Sequence, residues 1–263
     1  MDRESIGEEI EKERRGPKII GVIGPHRIGK DTVIDGLVSS LSGKDVRKFS
    51  IGEYIRDRLY ETDDPAGAEV LFARELEEAK VESEDTRLNK LSGRQLVGEI
   101  KHNYDNRLPI PEEVADWIFK GFLESCSEDT IVLMSGGPYS VIDLKFMEKH
   151  SPPMGLILLA PTSRDWMEEI PRRAAFGERE SMRDPEEEWN KWRGRVAEVM
   201  RHAYSMGYPV LHVNMRNPGL SIENVNSQIQ GALGEFVEGV AEGRTLSKLK
   251  KIDIGGDERL GRN

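Results

Sequence analysis

Apolar positions along the chain fall into two kinds of pattern. Residues 19–23, 131–134, 155–160 and 209–214 are near-continuous apolar runs. Such runs are expected of strands covered on both faces of a parallel sheet. A shorter run at 46–49 predicts one more strand, turned into by Gly43-Lys44. The segments between carry a helical period instead. Val33, Ile34, Leu37, Val38 and Leu41 mark one apolar face, and Leu96, Val97 and Ile100 another. Val70, Leu71, Leu76 and Ala79 predict an exposed helix. A helix is expected from Pro111 to about Cys126, a long one after Pro185, and a last one through Ile222, Val225, Ile229, Leu233 and Phe236. Strands alternating with helices predict an α/β fold of three layers around a five-stranded parallel sheet.

Several boundaries are announced by capping chemistry. Ser50 with Glu53 three residues on reads as a capping box, with Phe49 and Tyr54 placed as its hydrophobic staple. Asp184 reads as an N-cap with Pro185 as the first helical residue. Asp63-Asp64-Pro65 breaks the chain. Residues 1–17 form a charged arm and 18–242 the core. The tail, 243–263, has few apolar residues and several glycines and is expected to be mobile.

The first strand runs directly into Gly24-Pro25-His26-Arg27-Ile28-Gly29-Lys30-Asp31-Thr32. A strand, then Gly-x-x-x-x-Gly-Lys, then an amphipathic helix is the context of a phosphate-binding loop. The glycines let the backbone turn its N–H groups onto phosphate oxygens, and the helix start adds the positive end of its dipole. Lys30 supplies a point charge, and a hydroxyl, here that of Thr32, is expected to reach Mg²⁺. The common signature has Ser or Thr directly after the lysine, where this chain has Asp31.

Gly-Lys-x-Thr resembles the loop of adenylate kinases and related nucleoside monophosphate kinases, and Gly-Lys-Asp-Thr is similar to the loop of phage deoxynucleotide kinases. Further motifs follow in order. Phe-Ser-Ile-Gly-Glu-Tyr-Ile-Arg at 49–56 resembles the segment in which that family's arginine holds the acceptor phosphate and its acidic residue contacts the magnesium waters. The resemblance assigns these roles to Arg56 and Glu53, with Ser50 beside them in the acceptor site. Pro111-Glu112-Glu113-Val114 resembles the end of the family's acceptor lobe, which would span 51–110 and is longer here. Ser135-Gly136-Gly137-Pro138-Tyr139 matches the family's strand end at Gly136 and Pro138. It departs from it at Ser135 and Tyr139, where the family has Asp and Arg. Arg173, Arg183 and Arg193 match the lid arginines, with a short lid at 174–184 and with Arg172 and Arg195 as close competitors.

The resemblance implies an ATP-dependent phosphotransferase of P-loop fold, with Mg²⁺ and a nucleoside monophosphate or similar small phosphorylated acceptor. Lys30, Arg173, Arg183 and Arg193 would be catalytic, Gly24 to Thr32 would bind ATP, and Gly136 would line the acceptor site. Ser135 and Tyr139 favour an alternative, a nucleotide-binding regulator with weak turnover. The enlarged lobe favours another, a kinase of this fold with a non-nucleotide acceptor.

Composition narrows the partners. The chain has 263 residues, 37% hydrophobic and 33% charged, and a net charge of -10. That charge disfavours sequence-independent binding to nucleic acid, which needs a basic face. It leaves room for small nucleotides held by a local Arg and Lys cluster. Cys126 is the single cysteine, so no intrachain disulfide forms. The N-terminus lacks a signal-peptide core and no apolar run could span a membrane, so a cytoplasmic monomer is the expectation.

Overall fold

The computed structural model describes residues 16–25, 28–79, 87–106, 110–135, 137–138, 141–150, 155–161, 185–215, 222–244 and 249–254. In chain order its elements are β1 (Lys18–Ile23), α1 (Lys30–Ser40), β2 (Val46–Phe49), α2 (Ile51–Leu59), α3 (Pro65–Glu78), a 3₁₀ turn (Leu88–Lys90), α4 (Gly93–Asp105) and α5 (Glu112–Glu124). There follow β3 (Ile131–Ser135), α6 (Val141–His150), β4 (Gly155–Pro161), α7 (Pro185–Met206), β5 (Val210–Met215), α8 (Ile222–Ala241) and β6 (Leu249–Ile254). Two compact units result, one of residues 1–48 and 128–263, the other of 49–127.

The first unit is built on a sheet of order β2-β3-β1-β4-β5-β6. β1 pairs in parallel with both β3 and β4, β4 with β5, and β5 with β6. The five expected strands are all present. A sixth, β6, comes from the stretch expected to be a mobile tail. Leu249-Lys250-Lys251-Ile252-Asp253-Ile254 is too polar to read as a buried strand, but an edge strand needs pairing on one side only.

Alternation along the strands shows why helices cover both faces. Ile20, Val22, Ile131, Leu133, Ile157, Leu159, Leu211 and Val213 share one core with Val33, Ile34 and Leu37 of α1 and Leu233, Phe236, Val237 and Val240 of α8. The intervening residues, among them Ile19, Val132 and Leu156, are equally buried, as are Leu144 and Met147 of α6 and Val199 and Ala203 of α7. A strand buried at both parities needs apolar cover on both sides. The chain is thus a three-layer α/β fold of P-loop type. The expected apolar face of α1 is the observed one, with Val38 partly buried against it.

The chain builds the β2 and β3 side of β1 first and the β4 to β6 side afterwards. The carboxyl end of β1 is therefore a topological switch point, where open α/β sheets bind their ligands.

The second unit is helical. Ser50 caps α2 by accepting from the Glu53 amide, Asp64 caps α3 by accepting from Gly67, and Ser92 with Gln95 forms a reciprocal capping box on α4. Its centre is aromatic. Phe49 lies 5.2 Å from the Phe119 ring and 4.4 Å from that of Phe122, and Phe72 lies 6.0 Å from Trp117. These rings tie α5 into the unit, which spans residues 49–127. The exposed helix expected near 70–79 is α3, but its buried face is Phe72, Ala73 and Leu76, while Val70 and Leu71 face solvent. Phe72 is turned inward by its aromatic neighbours, Tyr54 and Trp117. Tyr54, expected to staple against Phe49, lies 6.3 Å from the Phe72 ring. Gln95 is committed to its cap, where it accepts from the Ser92 amide at 2.8 Å. Cys126 is half-buried, its thiol 3.4 Å from the Phe122 carbonyl it donates to. No helix among the described residues is long and apolar enough to cross a membrane.

Candidate nucleotide site

The loop begins where β1 ends. A Cβ on Gly24 would stand 2.8 Å from Ile28 Cγ2 and 3.2 Å from both Leu159 Cβ and the Leu159 carbonyl oxygen. Only glycine lets the chain leave the sheet this close to β4. At the other end Gly29, at φ 84°, is left-handed and starts α1 without any side-chain cap. The first-turn amides of α1 are thus not claimed by a capping side chain, as an anion site at a helix start requires.

Lys30 ties the end of the loop back to its start. Its side chain is buried, 7% exposed, and its amine donates to the Gly24 carbonyl at 3.1 Å and the Pro25 carbonyl at 2.9 Å. Burial pushes its pKa down to about 8, against a smaller upward pull from Asp31. Between pH 8 and the ordinary lysine value the unfolded chain holds a proton that the folded chain lacks. This group therefore makes stability rise with pH across that window. An anion in the loop favours the charged amine and acts oppositely, so nucleotide binding should take up a proton near pH 9. Calorimetry in buffers of different ionisation enthalpy checks this, and an identical apparent enthalpy in all buffers would refute it.

Asp31 lies beside Lys30 with its side chain 62% exposed. It accepts from the Ser135 hydroxyl at 2.7 Å and lies 3.3 Å from Lys48 Nζ. Burial works upward on its carboxyl, but the Ser135 bond and Lys48 outweigh it and hold the group below the usual carboxylate range. Lys48 also reaches Asp35 at 3.4 Å. Neither Lys48 nor the long-range bond from Ser135 was expected as part of the site. The one available signal was the pair of acids Asp31 and Asp35, one turn apart on α1, which calls for a cation opposite. Thr32, half-buried, stands in the same first turn.

The second unit holds Ser50, Glu53 and Arg56 together on the first turns of α2. Arg56 is ringed by acids, with Asp57 at 3.3 Å, Glu61 at 3.2 Å and Glu53 at 4.0 Å. Burial works against its charge, but Glu61, Asp57 and Glu53 together raise its pKa above the ordinary value. Arg193 lies exposed on α7. His26, Arg27, Gly136, Arg173 and Arg183 lie outside the described residues, as do the expected lid and Tyr139.

Among the described residues no cluster of three or more His, Cys, Asp or Glu side chains could hold a metal alone. The donor set suits Mg²⁺ that arrives on nucleotide phosphates, keeps several waters and needs one or two protein oxygens. The glycine cradle and the buried lysine suit the phosphates.

Gly24→Ala is expected to cost ~1–3 kcal/mol of stability, because the new methyl overpacks Ile28 and Leu159. Chemical denaturation measures the loss.

The chain matches no protein-family profile. It matches no curated relative. Among solved structures it is similar to the crystal structure of a candidate kinase from Chloroflexus aurantiacus. The TM-score is 0.33 and the identity 14%, over 83% of this chain and 97% of that one.

Proposed function

We propose that the protein is an ATP-dependent phosphotransferase that moves the γ-phosphoryl group to a nucleoside monophosphate or a similar small phosphorylated acceptor. The observation that carries this reading is the loop at the carboxyl end of β1. There a buried lysine is tied across a glycine turn that starts a helix without a side-chain cap. Loop amides and Lys30 hold the donor phosphates, and ATP supplies the group transferred. Thr32 would ligate Mg²⁺ and Glu53 would order its waters, the ion neutralising charge that builds on the phosphates. Arg56 would hold the acceptor phosphate with Ser50, and the resemblance gives Gly136 an acceptor-binding role as well. Arg173, Arg183 and Arg193 would neutralise the phosphoryl group in transfer. No side-chain nucleophile is needed, because positioning and charge supply the rate.

The three acids around Arg56 favour a second reading, a nucleotide-binding regulator with weak turnover. A thermal-shift panel of nucleoside mono-, di- and triphosphates with Mg²⁺, followed by a transfer assay on whichever monophosphate binds, separates the two. Binding of ATP together with a monophosphate, and transfer between them, is the expected result. ATP binding without transfer to any monophosphate would put the regulator first, and no nucleotide binding at all would overturn both readings.

A further inference from the structure

In P-loop proteins of the common kind the residue after the lysine contributes a hydroxyl to Mg²⁺, and a carboxylate comes from another strand. Here the residue after the lysine is Asp31, and the strand that lies beside β1 ends in Ser135. β3 pairs with β1 so that Ser135 stands opposite Val22, one residue before the end of β1. Ser135 is 5% exposed, and its hydroxyl donates to Asp31 Oδ1 at 2.7 Å. One hydroxyl and one carboxylate are therefore hydrogen-bonded beside the loop, with their chemistry exchanged between helix and strand.

We propose that Asp31 and Ser135 are a transposed metal pair. Asp31 supplies the carboxylate that binds nucleotide-borne Mg²⁺ directly or through its water, and Ser135 and Lys48 fix that carboxylate in place. This rests on the donor-site reading above. A simpler account makes Asp31 only an acid favoured at a helix start. That account explains the acid, but not a buried serine on another strand committed to it, nor a lysine from β2 set 3.3 Å away.

The test is ATP affinity in excess Mg²⁺ and in EDTA, measured by calorimetry on the whole chain. The variants are Asp31→Ser, Ser135→Asp, the two together, and Asp31→Asn, which keeps a partner for Ser135 but removes the charge. Mg²⁺ is expected to tighten ATP binding to the parent. Asp31→Ser and Asp31→Asn should lose that tightening by about 10- to 100-fold, while affinity in EDTA should not fall, because each variant removes a negative charge beside the phosphates and beside Lys48. The double exchange should recover most of it. The inference is overturned if Asp31→Asn keeps the Mg²⁺ dependence of the parent. It is also overturned if the folded double exchange does no better than Asp31→Ser, or if Mg²⁺ leaves the parent's affinity unchanged. A parent that binds no ATP in either buffer overturns the donor-site reading, and this inference with it.

Discussion

Lys30→Ala is expected to abolish phosphoryl transfer and to weaken ATP binding by roughly 100-fold, the loss of a charge-assisted contact to phosphate. The fold should survive, for a reason visible in the loop. Keeping this amine charged in a buried position, with its pKa pushed down to about 8, costs about 3 kcal/mol. Alanine removes that cost. It also removes the bonds to the Gly24 and Pro25 carbonyls, each of the order of 1.5–3 kcal/mol for a charged donor. The two changes oppose each other, so thermal unfolding without ligand should shift little while the shift produced by ATP disappears. A folded variant with the parent's ATP affinity would remove the phosphate-loop assignment. A variant that unfolds would mean that the carbonyl ties hold the loop more strongly than burial strains it. Lys30→Met, which fills the same space without charge, then separates the two contributions.

Lys30 was legible because its chemistry is local. Loop, lysine and helix lie within one run, and the apolar pattern on either side fixes the strand and the helix. The same holds for α7, whose start is written in Pro185. What the sequence hides is chemistry between distant positions. Asp31 and Ser135 are 104 residues apart, and only the pairing of β3 with β1 brings them together. Lys48 reads as an ordinary polar residue of a short strand until β2 sets it against Asp31 and Asp35. β6 has little hydrophobic pattern because its register is imposed by the exposed edge of β5. Helix phase is a third limit. Val70 and Leu71 are as apolar as Phe72, and the packing of Phe72 on Tyr54 and Trp117, which are distant in sequence, decides which of them is buried.

Arg56→Ala is expected to raise the acceptor KM by roughly 10- to 100-fold, with the ATP dissociation constant changed less than about twofold. A guanidinium can grip a phosphate through two parallel bonds, and alanine leaves that anion unmatched. The side chain is 42% exposed and therefore accessible, but Asp57, Glu61 and Glu53 already surround it. An incoming phosphate must displace or outbid these acids, and partly exposed ion pairs of this kind contribute only ~0–1 kcal/mol. They are weak enough to be exchanged for a dianion. Glu61→Gln provides the opposite test, because it frees the arginine without removing it. If Arg56 binds the acceptor, Glu61→Gln should lower the acceptor KM several-fold while stability falls by less than about 1 kcal/mol. If the arginine serves only α2, both substitutions should change stability alone. A rise in acceptor KM for Arg56→Ala and a fall for Glu61→Gln, measured on the same acceptor, would assign the residue to the acceptor phosphate. Equal losses for ATP and acceptor in Arg56→Ala would count against that role.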